Sequence, residues 1–197
     1  MNRQHVLHFF RHAKPIKTGV LLGKTNISID PTYEIKPISH NSHINLISSP
    51  LKRCTETASR LFPFGQCSIE PALREFDFGC WDGVPYEQLW QENSTLGDFW
   101  HDPWSTKPPQ GESMVHFHTR VMTWWTQFLT ELVTSPNNQT FAFVTHAGVM
   151  KLLLLHLMGV TKPTGQQLAN LEIGYLSQLK VVVLVDENAK AWPKVVF

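Results

Sequence analysis

The chain has no excess of either charge: 17 Lys and Arg stand against 16 Asp and Glu, and charged residues are only 17 % of its 197 positions. So balanced a composition excludes a nucleic-acid-coating surface or a membrane-adhesive patch, and an apolar content of 42 % excludes a disordered chain. Cysteine is scarce. Cys54, Cys67 and Cys80 are odd in number and lack CxxC spacing, which excludes a disulfide framework and a structural zinc site, so all are read as reduced. No apolar run approaches the roughly 20 residues that span a bilayer. Met1 to Gln4 leads into a strand rather than a signal-peptide core, so the cytoplasm is the expected location. Internal repeats and low-complexity tracts are absent as well. The expected partner is a small molecule, with no nucleic acid and no membrane.

Strand-like and helix-like patterns alternate along the chain, which predicts an α/β fold: a sheet with helices packed on both faces. Val6 to Phe10, Ile44 to Ile47, Thr140 to Thr145, Tyr175 to Asp186 and Trp192 to Phe197 read as strands. Pro50 to Leu61 reads as a helix with Ser49 as its cap and Pro50 at the first helical position. Gly148 to Gly159 reads as a deeply packed helix ended by glycine. From Ser113 on, Met114, Phe117, Val121, Trp124, Phe128 and Leu132 recur at steps of three and four, tracing the core-facing stripe of the longest helix. Periodicity fails before it. Pro85, Pro103, Pro108 and Pro109 mix there with Trp90, Trp100, Trp104 and polar residues. This stretch reads as an insertion over the site, at about 82–112, within a single domain spanning 1–197.

The polar residues worth weighing stand where strands end. Arg11 and His12 directly follow the apolar run Val6 to Phe10, and ligands of open α/β sheets bind outside the carboxyl ends of strands. Arg53 lies in the first turn of the helix after the second strand, in SSPLKRCTETA. Unpaired N–H groups and an Arg fork there suit a phosphate. His146, in VTHAGV, again sits between strand and helix. Two Arg and two His brought to one sheet edge make a positive cavity suited to a dianion without a metal. The pairs His40 with His43 and His116 with His118 have ligand-like spacing but no fixed third ligand, so they are read as surface residues. No metal and no cofactor are expected.

Taken in order, Arg11-His12-Ala13 after a strand, SSPLKRCTETA, LREFDFGCWDG and VTHAGV resemble the histidine phosphatase superfamily, whose members include cofactor-dependent phosphoglycerate mutases and many small phosphatases. The resemblance spans residues 6 to about 150, and the insertion falls where that family carries its variable cap. It implies a phosphoglycerate mutase-like fold: three layers, α/β/α, with a mostly parallel central sheet and a helical cap. Within the family, the length, LLGKTNISI and the GES opening the long helix look most like α-ribazole phosphatases of cobalamin biosynthesis. The resemblance implies His12 as the nucleophile that becomes phosphohistidine, Arg11, Arg53 and His146 as ligands of the phosphoryl oxygens, and Glu75 as proton donor to the departing alkoxide. Asp77 and Asp82 compete for the last role.

Thr18 stands where many members carry a phosphate-contacting Asn, and Gly23 and Thr25 fall in a stretch used around the substrate, so these three join the substrate-binding candidates; Lys24 reads as solvated. Ala13 replaces the usual Gly and fits provided its φ is negative. Trp90, Trp100 and Trp104 read as cap packing or as platforms for a flat base. The implied activity is metal-independent phosphomonoester hydrolysis by a monomer or homodimer. A phosphohistidine or phosphoprotein phosphatase, a broad-specificity small-molecule phosphatase, a mutase and a non-catalytic phosphate-binding pseudoenzyme are the alternatives. The insertion favours a small substrate.

Overall fold

The computed structural model describes residues 3–38, 44–92 and 94–197; His40 and His43 lie outside them. A six-stranded sheet runs in the order β3-β2-β4-β1-β5-β6, with β1 Arg3–Arg11, β2 Asn45–Ser48, β3 Cys67–Ile69, β4 Thr140–Thr145, β5 Gln178–Val185 and β6 Ala191–Val196. The β3–β2, β2–β4 and β4–β1 pairings are parallel, whereas β1–β5 and β5–β6 are antiparallel. The sheet is therefore mixed and mostly parallel.

Helices cover both faces. Alternation along β1 sends Leu7 and Phe9 to one core cluster and Phe10 to the other; along β4, Phe143 goes to the first, Ala142 and Val144 to the second. The first cluster packs against α4 Met114–Thr134 and α5 Ala147–Leu157, and the second against α1 Lys52–Leu61. Phe9 and Phe143, opposite each other in the β1–β4 register, stack with ring centroids 4.6 Å apart. The six apolar residues of the α4 stripe are all buried, with Trp125 added, and Ser113 caps the helix by accepting from His116 N. Gly159 follows α5 with φ of 84°, the left-handed conformation that ends a helix at little cost to glycine.

Three expectations need correction. Helix α1 begins at Lys52 with Leu51 as an N-cap lacking any side-chain bond, so Ser49 is not its cap and Pro50 precedes its first turn. The Ser49 hydroxyl lies 2.8 Å from His146 Nε2 and 3.4 Å from Leu51 N, so tertiary pairing has drawn it away from capping. Strand β5 starts at Gln178 rather than Tyr175, because Leu176 takes a φ of 61° in the preceding turn. His118 is half-buried against Trp104, with ring centroids 5.4 Å apart, and not a surface residue like the exposed His116. The stretch read as an insertion, about 82–112, carries two helices, α2 Tyr86–Glu92 and α3 Ser94–His101. A further helix, α6 Gly165–Asn170, packs beside α3.

Candidate active site

The register of the sheet brings the two strand-end histidines together. Arg11 pairs with Thr145 across the β1–β4 ladder, and His12 N donates to Thr145 O over 2.9 Å. The next residues, His12 and His146, consequently meet with ring centroids 5.2 Å apart. Strand β2 pairs with β4 on the other side, Ser48 opposite Val144, so α1 starts beside His146 and delivers Arg53 beneath both imidazoles.

His12 has one self-consistent protonation pattern. Its Nδ1 lies 2.8 Å from Ala13 O, and a carbonyl only accepts, so Nδ1 carries the proton. That leaves the lone pair on Nε2, which accepts from Arg53 Nε over 3.3 Å. Burial, with Arg53 and Arg11 nearby, pulls the His12 pKa down to about 3 despite the opposing bond to Ala13 O. Ala13 is buried, is not among the residues with positive φ, and is anchored by Thr57 Oγ1, which accepts from its amide over 2.9 Å.

Arg53 is completely buried. Its NH1 donates to Thr25 O over 2.8 Å, and its NH2 to Gly23 O over 2.8 Å and Leu22 O over 3.3 Å. Asp82 holds that turn from behind, accepting from the amides of Gly23, Lys24 and Thr25 over 2.9, 2.6 and 3.1 Å. Asp82 thus braces Arg53 through the main chain, and Asp77 pairs with the exposed Lys24 over 3.2 Å. His146 is completely buried too, with Cys54 Sγ 3.3 Å from its Nε2. Desolvation, then Arg53, His12 and Arg11, keep His146 neutral by pushing its pKa well below the usual histidine value.

Glu75 is half-buried across the cavity. Its Oε1 accepts from Phe76 N over 3.0 Å and its Oε2 from Gly148 N, in the first turn of α5, over 3.1 Å. Arg11 closes the ring: NH1 donates to Ile173 O, the guanidinium lies 4.0 Å above the Tyr175 ring, and the buried Nε has no partner among the described residues.

Arg11, His12, Thr18 and Glu75 line a common cavity of about 210 Å³. Arg53, His146, Gly23 and Thr25 do not reach its wall; the first two support His12 from below, and the last two meet Arg53 through their carbonyls. Much of the remaining wall is aromatic, from Phe76, Phe78, Phe99, Trp100, Phe117, Tyr86 and Tyr175, with aliphatic residues between them and Lys17 and Lys151 as cations. Trp104 packs instead, donating to Pro163 O over 2.7 Å, and Trp90 is exposed outside the cavity. Lys151, whose Nζ donates to Leu168 O over 2.7 Å, has its pKa lowered by burial. Its place three residues beyond Gly148, on the same face of α5, was the sequence signal for it. Among the described residues no group of three or more His, Cys, Asp or Glu is placed to hold a metal ion.

Comparison with known proteins agrees with this architecture. The model of the histidine phosphatase superfamily (branch 1) matches residues 36–183. The Adenosylcobalamin/alpha-ribazole phosphatase of Escherichia coli (strain K12) is 27 % identical over 136 residues, 67 % of this chain and 65 % of that protein, just under two thirds of the relative's length. A putative alpha-ribazole-5'-P phosphatase structure from Escherichia coli superposes with a TM-score of 0.75 at 22 % identity, covering 98 % of this chain and 95 % of that one. A mycobacterial glucosyl-3-phosphoglycerate phosphatase gives a TM-score of 0.74 at 16 % identity, covering 98 % and 97 %. These two likenesses bear on the fold. Among the described residues no helix is long and apolar enough to cross a membrane.

Proposed function

The chain belongs to branch 1 of the histidine phosphatase superfamily, and on that premise we propose that it hydrolyses phosphate monoesters through a phosphohistidine on His12, without a metal. One observation carries the reading: the Nδ1 proton of His12 is committed to Ala13 O, so a neutral imidazole presents Nε2 as the nucleophile beside two guanidiniums. Arg53 Nε releases Nε2 as substrate binds, and Nε2 attacks phosphorus in line with the ester oxygen. Arg11, whose Nε is unpartnered among the described residues, binds equatorial oxygens; the Arg53 Nε–H freed from Nε2 lies next to the bond being formed, and His146 supports the imidazole from behind the wall. As the P–O bond breaks, the Glu75 carboxyl gives its proton to the departing alkoxide. The resulting carboxylate then takes a proton from the water that attacks phosphohistidine, releasing phosphate and restoring both groups.

The physiological ester we propose is α-ribazole 5′-phosphate, placing the enzyme in cobalamin biosynthesis. Support comes from the name of the 27 % identical relative and from the aromatic wall around Trp100 and Phe99, which suits a flat apolar ring. Thr18 reaches the same wall and is available to a substrate oxygen. Lys151 supports a second reading, an ester with an anionic leaving group, because its half-buried ammonium, bonded to Leu168 O, lines the cavity.

Hydrolysis of p-nitrophenyl phosphate in EDTA tests the reaction class. Sustained turnover is expected; none with any phosphate ester would leave a binding module. Comparing kcat/KM for α-ribazole 5′-phosphate, 3-phosphoglycerate and a phosphoprotein tests the substrate, and the first is expected to exceed the others by about 10-fold or more, the scale of roughly 1.4 kcal/mol of preferential binding.

A further inference from the structure

Glu75 sits in a stretch, 74–78, that belongs to neither helix nor strand, so its main-chain groups have no ladder to hold them. They are held by a side chain from α4 that never reaches the cavity. Arg120 NH1 donates to Ala72 O over 2.7 Å and to Arg74 O over 3.0 Å, and NH2 reaches Glu75 O at 3.5 Å. The same guanidinium pairs with Glu112 through Nε, 3.2 Å from Oε1, and NH2, 2.9 Å from Oε2. Glu112 then grips the far end of the stretch: its Oε2 lies 3.4 Å from Asp77 N, and its own amide donates to Asp77 O over 2.9 Å.

We infer that the Arg120–Glu112 pair is a positioning device for the catalytic acid, setting the main chain of residues 72 to 77 so that Glu75 meets Gly148 at the cavity wall. The inference rests on the reading of Glu75 as proton donor. Packing alone does not hold the acid in place, because a depression of about 510 Å³ lies on the other side, lined by Arg74, Glu75, Asp77, Glu112 and Arg120. Glu75 lines both that depression and the cavity. A planar fork with five donors can gather three carbonyls and a carboxylate at once, which an apolar contact or a lysine cannot. The pair is also well shielded, with side-chain exposures of 14 % and 8 %, so its two-point geometry is maintained rather than exchanged with water.

Leaving-group dependence separates this role from a general structural one. Arg120→Met, Glu75→Gln and the double variant are to be assayed on an alkyl phosphate and on p-nitrophenyl phosphate, whose leaving group scarcely needs a proton. For Arg120→Met, kcat/KM on the alkyl ester, which reports phosphoryl transfer to His12 and not hydrolysis of the phosphoenzyme, is expected to fall about 10-fold or more, part of the roughly 10²- to 10⁴-fold a general acid supplies, while kcat/KM on p-nitrophenyl phosphate changes little. The double variant should match Glu75→Gln alone. Equal losses on both esters, no loss, or losses that multiply in the double variant would overturn the positioning role. Failure of the acid assignment shows separately, as unchanged alkyl ester turnover by Glu75→Gln. Should Arg120→Met fail to fold, Glu112→Gln keeps the side-chain volume, weakens the fork and is held to the same pattern.

Discussion

Glu75 and Gly148 meet where the irregular 74–78 stretch crosses the start of α5: Gly148 N donates to Glu75 Oε2 over 3.1 Å, and a Cβ on residue 148 would stand 2.2 Å from Glu75 Oε1. Only glycine permits this approach. Gly148→Ala should therefore push the carboxyl away from the ester oxygen and lower kcat/KM on an alkyl phosphate, which reports phosphoryl transfer to His12, about 10²-fold, the low end of a general acid's contribution. The p-nitrophenyl ester serves as control and should lose far less. Unchanged kinetics on the alkyl ester would show that the contact is dispensable.

Asp82 binds three consecutive amides, and the carbonyls of the same turn grip Arg53. Arg53→Ala should cost about 2–4 kcal/mol of transition-state stabilisation, the usual scale for one oxyanion donor. Asp82→Ala should give a smaller loss of the same kind, and the two changes should be non-additive, because one acts through the other. Strict additivity of kcat/KM effects in the double variant would separate Asp82 from Arg53.

Burial of two neutral histidines makes the fold acid-sensitive in a defined direction. The pKa of His12 is pulled from 6.5 to about 3, and that of His146 also lies well below 6.5, so at acid pH the unfolded chain binds more protons than the folded one. Their contribution is complete above about pH 6.5 and is lost as pH falls toward the folded values, by about 1.4 kcal/mol per pH unit for each histidine. Urea unfolding between pH 7 and 5 should show this slope, reduced in His12→Gln. An identical pH dependence in that variant would contradict a buried neutral imidazole. For the same reason the acid limb of kcat/KM should not report a group titrating near pH 6.5 on the enzyme.

Much of this arrangement was legible in the sequence because its signals are local. The junctions that carry Arg11, His12, Arg53 and His146 announce themselves by an apolar run giving way to a polar residue, and the α4 stripe by its spacing. Competition at a distance was not legible. Ser49 looks like a cap until His146, 97 residues away, claims its hydroxyl. Asp82 looks like a rival to Glu75 until the amides of residues 23 to 25 occupy it. Strand β3 is three exposed residues with no alternation to detect, and α2 and α3 are short helices between prolines without a long stripe. Tyr175 reaches the cavity from a turn before β5, and only the antiparallel return of that strand beside β1 reveals it.

The most direct test is the fate of phosphate on the enzyme. Rapid quenching at alkaline pH during turnover, followed by mass spectrometry of the peptide containing residues 11 to 15, should find an acid-labile phosphate on His12, and His12→Ala should show neither phosphoenzyme nor hydrolysis. Normal turnover by His12→Ala, or phosphate carried on any other residue, would contradict the account.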